Sequence, residues 1–216
     1  MTVGEIQQKL LEYQKAGKRI FITSSFQTHS IPLLHIIKGS NVPVDFYFIN
    51  TGFHFAETLV FRDQIANQLN LEVKNIRPLV SKHHQKDNQG QFHFASDPDY
   101  CCYLNKTQPM DPLLQEYDVW ISGVRADQSE VRKSMQTEQS APNNTVRFHP
   151  ILDWSSKDIY NYRKKFNLPE HPLDKQGYQS IGCAPCTHKF DLTDERSARW
   201  FGLNKVECGL HTDLIS

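Results

Sequence analysis

The stretch Arg19-Ile20-Phe21-Ile22-Thr23-Ser24, followed by Ser25-Phe26-Gln27-Thr28-His29-Ser30, indicates the fold class of this chain. Its first half is a short run of β-branched and aromatic residues, which is typical of a buried strand. Its second half is rich in hydroxyl groups and leads into residues with helical spacing. A strand, a turn and a helix in this order begin a βαβ unit, the repeating element of a parallel sheet.

The same alternation continues along the chain. Further strand-like runs occupy residues 42–49, 71–76, 119–123 and 145–149, while residues 30–38 and 55–69 have the spacing of crossover helices. An amphipathic helix is predicted near the N-terminus, and residues 111–117 are expected to end another helix that contains a cysteine pair. Ser155, followed three residues later by Asp158, predicts a capped helix start. The sequence therefore predicts an α/β fold with an open, mainly parallel sheet and flanking helices.

Composition excludes several classes of protein. The 216 residues include 24 basic and 24 acidic side chains, so the chain lacks the positive charge expected of a nucleic-acid-binding protein. No apolar run approaches the roughly 20 residues that cross a bilayer, and the first residues do not resemble a signal peptide. No linker or repeat divides the chain. We expect a single cytoplasmic domain spanning residues 1–216, with no membrane and no nucleic-acid partner.

The five cysteines fall into three groups, and their number is too small and odd for a secreted disulfide scaffold. Cys101-Cys102 and the CxxC motif at residues 183–186 supply four thiols, the number that a tetrahedral zinc ion or an iron–sulfur cluster requires. Cys208 remains, near His211. A lone cysteine is usually a buried apolar residue, but its polar neighbours indicate a nucleophile here.

The turn at residues 23–30, called the serine loop below, lies where open parallel sheets bind their ligands. Hydroxyl groups and free backbone N–H groups at a helix start suit a phosphate. A serine-rich helix cap without a ligand explains the same residues equally well. The loop has no GxxxxGK[ST] motif, which argues against a Walker-type ATPase.

With these motifs in place, the chain resembles the adenylyl-sulfate and phosphoadenylyl-sulfate reductases of assimilatory sulfate reduction, within the adenine-nucleotide α-hydrolase-like superfamily. The resemblance runs nearly end to end. It rests on blocks at residues 24–26, 50–58, 101–102, 123–129, 153–155, 177–187, 196–200 and 205–211.

The resemblance implies a two-step reaction. The Cys208 thiolate attacks the sulfur of adenylyl sulfate, releases the nucleotide and becomes an S-sulfocysteine; a thiol reductant, thioredoxin or glutaredoxin, then releases sulfite. His211 and Lys106 are implied as catalytic partners, and residues 190–216 as a mobile catalytic tail. We further expect a homo-oligomer, supported by strand edges and the face around residues 111–117.

The resemblance also implies the ligand sets. The residues expected at the substrate are Ser24, Ser25, Phe26, Thr51, Gly52, Arg125, Arg132, Arg196 and Arg199. Cys101, Cys102, Cys183 and Cys186 are implied as ligands of a [4Fe–4S] cluster. Relatives with these four cysteines favour adenylyl sulfate, whereas cluster-free relatives typically use the 3′-phosphorylated nucleotide.

Four positions depart from the common family pattern: Gln27 and Ala198 replace glycines, Asn50 an aspartate and Ala56 a proline. Gln27 bears on nucleotide discrimination, because it stands in the phosphate loop. Reduction of phosphoadenylyl sulfate by the same chemistry remains open at this point, and so do two functions of other kinds. One is an ATP-dependent sulfurtransferase of the same superfamily, although the serine-glycine-glycine loop of such enzymes is missing. The other is a non-catalytic zinc-binding interaction module.

Overall fold

The computed structural model describes residues 1–189, 199–200, 205 and 207–211. These residues form a six-stranded sheet with the strand order β3-β2-β1-β4-β6-β5. All neighbouring strands are parallel except β5, which runs antiparallel to β6 at the edge. The strands are β1 (Ile20–Thr23), β2 (Asp45–Ile49), β3 (Val73–Ile76), β4 (Val119–Ser122), β5 (Glu138–Ser140) and β6 (Val146–Phe148).

Helices cover both faces of the sheet, as the sequence predicted. They are α1 (Val3–Lys15), α2 (Ile31–Gly39), α3 (Ala56–Gln68), α4 (His93–Ser96), α5 (Pro98–Cys102), α6 (Asp111–Glu116), α7 (Glu130–Lys133) and α8 (Ser156–Lys165). The predicted cap of α8 is present, since Ser155 and Asp158 form a reciprocal capping box. The first helix is also confirmed, although Leu11 is exposed while Ile6, Leu10 and Tyr13 are buried.

Side chains of β1 alternate between the two faces and so belong to two cores. Ile20 and Ile22 pack into the larger core with buried residues of α1, α2 and α3. Phe21 points to the other face, where it packs with Trp120 and with Leu114 of α6. The sheet is therefore buried on both sides, which explains why its central strands read as continuous apolar runs.

One strand was missed. β5 contains only Glu138, Gln139 and Ser140, so it has no apolar residue from which a strand could be predicted. It forms because it pairs with β6 at the edge of the sheet, where one side of the strand can stay polar.

The cysteine pair lies at the end of α5, at the start of a continuous helical stretch that reaches α6. A π-helical turn at Tyr103–Thr107 and a 3₁₀ turn at Gln108–Met110 join the two α-helices. Single π-turns are rare and often occur at functional sites. This turn carries Lys106.

Among the described residues, none of the helices is long and apolar enough to cross a membrane.

Candidate active site

A cavity of about 190 Å³ opens at the carboxyl ends of β1, β2 and β4. Its wall includes Thr23, Ile49 and Ser122, the last residues of these three strands. The chain leaves β1 toward β2 on one side and returns to β4 on the other, so the cavity lies at the point where the strand order reverses. Ligands of open α/β sheets bind at such a point.

The serine loop forms one wall of this cavity, and Ser24 and Ser25, which are expected at the substrate, line it. Ser25 and Ser30 share a hydrogen bond of 3.0 Å between their Oγ atoms. Phe26 behaves differently from the expectation. Its ring is fully buried in the core, 5.9 Å from the ring of Phe48, and is not part of the cavity wall. Its φ of 53° lies in the left-handed region, so the ring anchors a strained turn.

Gln27, the departure from the family's glycine, fits the loop without strain. Its φ of −74° is open to any residue. Its amide bridges two parts of the site: Nε2 donates to Ser25 Oγ at 3.2 Å, and Oε1 accepts from the Ile181 N–H at 2.9 Å. Gln27 thereby joins the serine loop to the segment that leads into Cys183.

A buried polar network behind the loop fixes Thr28. The Thr28 hydroxyl donates to the Asp174 carboxylate and accepts from the backbone N–H of His171 at 2.8 Å. Burial raises the pKa of Asp174, although the Thr28 hydrogen bond opposes the shift. Burial lowers the pKa of His171 to about 4, so this imidazole is neutral and structural, and it pairs with Thr58 at 3.1 Å.

Cys101, Cys102, Cys183 and Cys186, called the cysteine quartet below, line a second, small cavity beside the first. All four are buried, and none forms a disulfide. Within the described residues, no three His, Cys, Asp or Glu side chains form a group that could hold a single metal ion. Burial, together with Cys183 and Cys186, raises the pKa of Cys101 to about 12. With its pKa raised, Cys101 is a neutral thiol, and it would become a thiolate only with a positive centre among the four sulfur atoms.

Lys106 connects the two cavities, because its side chain lines both. Its Nζ donates to Cys208 Sγ at 3.5 Å. Burial disfavours the ammonium ion, but the thiols of Cys208, Cys183 and Cys102 outweigh it and raise the pKa of Lys106. Lys106 follows Cys102 by four residues and lies in the π-helical turn, which directs its side chain toward both cavities.

Cys208 is buried at the edge of the larger cavity, although it lies far along the chain from the strand ends and the serine loop that form other walls. A hydrogen bond from Cys102, followed by the charges of Lys106 and Arg199, holds its pKa well below the ordinary value. The thiolate is the nucleophilic form of cysteine. The structure therefore places the Cys208 sulfur against the space that the serine loop borders.

The predicted cations occupy different positions. Arg132 and Arg199 line the cavity. Arg199 Nε donates to the Cys186 carbonyl at 3.2 Å, and its guanidinium lies 4.6 Å above the Trp200 ring. Arg125 is buried but does not line the cavity. Its Nε lies 3.2 Å from Asp127 Oδ1, and its NH2 donates to Ser156 Oγ at 3.1 Å. Arg196 and the side chain of His211 lie outside the described residues, as do Ala198 and most of residues 190–216.

Thr51 and Gly52 form the turn after β2. Thr51 is buried in the cavity wall, and its Oγ1 lies 3.3 Å from Cys183 Sγ. Gly52, with a φ of 77°, allows the turn but is not part of the wall. Asn50 replaces the family's aspartate without loss of geometry, because its Oδ1 accepts the Gly52 N–H at 3.2 Å.

Three residues of the site were missed by the sequence analysis. His54 lines the cavity, and burial lowers its pKa to about 4. Glu207 and Arg147 hold the segment that carries Cys208. Arg147 had a detectable signal, because an arginine in the middle of a buried strand needs a specific partner. Glu207 had no detectable sequence signal beyond its position next to Cys208.

The crevice at the switch point of a parallel sheet, with a buried thiol at its edge, defines the class: an α/β enzyme of the nucleotide-binding type. The profile of the phosphoadenosine phosphosulfate reductase domain matches residues 19–189. The chain belongs to this family, and it is an oxidoreductase of sulfate assimilation.

Curated relatives and solved structures agree with this assignment. The chain is 37% identical to a phosphoadenosine 5′-phosphosulfate reductase of Gloeobacter violaceus, over 90% of this chain and 83% of the relative. It is 37% identical to an adenosine 5′-phosphosulfate reductase of Rhodococcus erythropolis, over 83% and 73% of the two chains. The phosphoadenylyl-sulfate reductase of Candida auris shares the fold, with a TM-score of 0.65 at 21% identity over 82% and 88% of the chains.

Proposed function

We propose that this chain reduces adenylyl sulfate to sulfite and AMP, with Cys208 as the nucleophile and thioredoxin or glutaredoxin as the reductant. One observation carries the proposal: the Cys208 thiol lies 3.5 Å from the Lys106 ammonium at the edge of the cavity that Ser24 and Ser25 border. A substrate with its nucleotide at the serine loop would place its sulfate group toward these two residues.

The chemistry assigns each described group a role. Cys208 Sγ donates an electron pair to the sulfur of the sulfate group, and the bond from that sulfur to the bridging phosphate oxygen breaks. AMP leaves with the electron pair of that bond, and Lys106 and Arg199 stabilise the negative charge of the transferred group. The thiolate of the reductant then attacks Cys208 Sγ, and sulfite leaves with the electrons of the S–S bond. A second thiol of the reductant resolves the mixed disulfide and restores Cys208.

The cysteine quartet fits a [4Fe–4S] cluster. Four buried thiols around one small cavity are the donor set that such a cluster would take. We propose that Cys101, Cys102, Cys183 and Cys186 hold it. When bound, the cluster would supply the positive centre that the four thiolates need and an electrostatic influence on Lys106. No step of the mechanism above requires it to transfer an electron.

Two observations support adenylyl sulfate over its 3′-phosphorylated form. Seven of eight curated relatives with 33–37% identity are named adenosine 5′-phosphosulfate reductases. Among the described residues that line the cavity, the Lys and Arg side chains are Lys106, Arg132 and Arg199. Each contacts the Cys208 segment or the quartet. The serine loop itself contains no Lys or Arg that could pair with an additional phosphate.

A substrate comparison tests the proposal. Anaerobically prepared protein is given each nucleotide at a limiting concentration with thioredoxin, and sulfite release is measured. We expect a clear preference for adenylyl sulfate and no sulfite from Cys208→Ser, which should still bind AMP. A preference for the 3′-phosphorylated nucleotide would reverse the substrate assignment. Turnover by Cys208→Ser would remove this residue from the nucleophile role.

A further inference from the structure

We propose that Glu207, Arg132 and Arg147 form a latch that holds residues 207–210 against the body of the enzyme and so positions Cys208 beside Lys106. The proposal rests on the proposed function, since it concerns how the nucleophile reaches the substrate. The latch has two anchors, one on each side of Cys208. Residues 207–210 are called the docked segment below.

The first anchor is the carboxylate of Glu207, whose side chain is fully buried. The Arg132 guanidinium forms a bidentate ion pair with this carboxylate: Nε donates to Oε2 at 2.9 Å and NH2 donates to Oε1 at 3.0 Å. Ser129 Oγ donates to Oε2 at 3.1 Å. The same carboxylate accepts the backbone N–H of Cys208 at 2.9 Å. Glu207 therefore links the backbone of the nucleophile directly to α7.

The second anchor lies two residues beyond Cys208. Arg147, fully buried on β6, donates from NH1 to the Leu210 carbonyl at 2.7 Å. Its guanidinium lies 4.1 Å above the Trp120 ring, and Trp120 is itself held by a hydrogen bond of 2.8 Å to Thr23 at the end of β1. The docked segment is thus attached to the rigid sheet whose strand ends form the cavity.

This arrangement changes the role expected of Arg132. A bidentate pair with a buried carboxylate occupies most of its donors, and Gln128 accepts a further hydrogen bond from NH1. Arg132 in the docked state is a positioning residue for the nucleophile. Lys106 and Arg199 would instead bind the sulfate group. Among the described contacts, neither of them is paired with a carboxylate.

Loss of the Glu207 charge should release the segment. Glu207→Gln keeps the shape and one carbonyl oxygen for the Cys208 N–H, but it leaves the Arg132 guanidinium buried without a counter-charge. Removing one partner of a buried ion pair is strongly destabilising. The docked segment can relieve this cost by leaving, whereas Arg132 cannot leave α7.

The test uses the anaerobically prepared full chain and measures three quantities. The first is the rate at which iodoacetamide alkylates Cys208, read from the mass of its peptide. The second is the rate at which the Cys208 sulfonate adduct forms in a single turnover with adenylyl sulfate, and the third is the affinity for AMP. For Glu207→Gln we expect alkylation about tenfold faster, because the buried thiol becomes exposed, and sulfonation at least about tenfold slower. AMP affinity should stay unchanged, because the serine loop is untouched. The matched control is Glu130→Gln, which removes an exposed carboxylate from the same helix.

If alkylation of Cys208 becomes faster while its sulfonation becomes slower, the latch positions the thiol. If both rates fall together, Glu207 acts on the reactivity of the thiol, and the latch is wrong. Unchanged rates also overturn it. Should Glu207→Gln fail to fold, Arg147→Lys tests the second anchor with the same readouts, since lysine keeps the charge but loses the planar contact with Trp120. If the wild-type protein forms no sulfonate adduct, the proposed function fails, while alkylation still tests the latch.

Discussion

The guanidinium of Arg199 packs directly against residue 182, which has no side chain. A Cβ atom built on Gly182 would lie 2.3 Å from Arg199 NH2 and 2.5 Å from its Cζ. Real Cβ atoms do not approach other atoms this closely, so a methyl group here must displace the guanidinium. The glycine that precedes the CxxC motif is therefore a requirement of the site, imposed by a residue that follows it by seventeen positions.

Gly182→Ala should consequently weaken substrate binding. The displaced Arg199 would lose its hydrogen bond to the Cys186 carbonyl, and we expect KM for adenylyl sulfate to rise about tenfold, the effect of roughly one charged hydrogen bond. Steady-state sulfite release measures it. Gly4→Ala is the control, because no atom lies within 4 Å of its added Cβ. An unchanged KM would mean that Arg199 does not bind the substrate.

Single residues also mark the limit of what the sequence can predict. The cysteine groups and the serines of the loop were recognisable because their spacing or neighbours carry the chemistry, whereas Lys106 was assigned by resemblance. Arg125 was placed at the substrate by resemblance, yet it pairs with Asp127 and Ser156 away from the cavity wall. Glu207 could not be found, because its function depends on Arg132, 75 residues away. Long-range pairs of this kind leave no local pattern.

At the scale of elements, the serine loop depends on polar contacts behind it as much as on its own residues. Thr28 connects the loop to Asp174 and His171, which belong to an irregular part of the chain. The strand before the loop and the helix after it were predictable from their periodicity. The support comes from residues 171–182, which have no periodicity, so these contacts could not be predicted from a local pattern.

Thr28→Val tests this support. Valine has nearly the shape of threonine, but it leaves the buried Asp174 carboxyl and the His171 N–H without a partner. We expect the free energy of unfolding to fall by about 2 kcal/mol and AMP binding to weaken, because the loop loses its anchor. Denaturant unfolding and AMP titration measure the two effects. Thr2→Val, at the exposed cap of α1, changes the same group outside the site; equal AMP binding by both variants would contradict the account.

At the scale of the whole molecule, the fold gathers three distant segments around Lys106. The cysteine pair comes from α5, the CxxC motif follows the irregular segment, and Cys208 lies on the docked segment. The parallel sheet with helices on both faces was predictable because the strand signals repeat. The edge strand β5 was not, since pairing with β6 rather than burial creates it.

Metal content tests the separate roles of the cysteines. Anaerobically purified wild-type protein should contain iron and labile sulfide and be brown, and Cys186→Ser should lose most of both, because a cluster needs all four thiolates. Cys208→Ser, the matched control, should retain them. Stoichiometric zinc in colourless wild-type protein would instead support a zinc-binding module, and iron loss in Cys208→Ser would place this thiol among the ligands.

The central claim is that Cys208 accepts the sulfonate group from the nucleotide. Adenylyl sulfate is mixed with excess enzyme without a reductant, and the reaction is quenched in acid. The masses of the cysteine-containing peptides are then measured by mass spectrometry. The account predicts a mass increase of one SO₃ group on the Cys208 peptide, in step with AMP release, and its disappearance when thioredoxin is added. AMP and sulfite released without any adduct on that peptide, or an adduct on another cysteine, would contradict it.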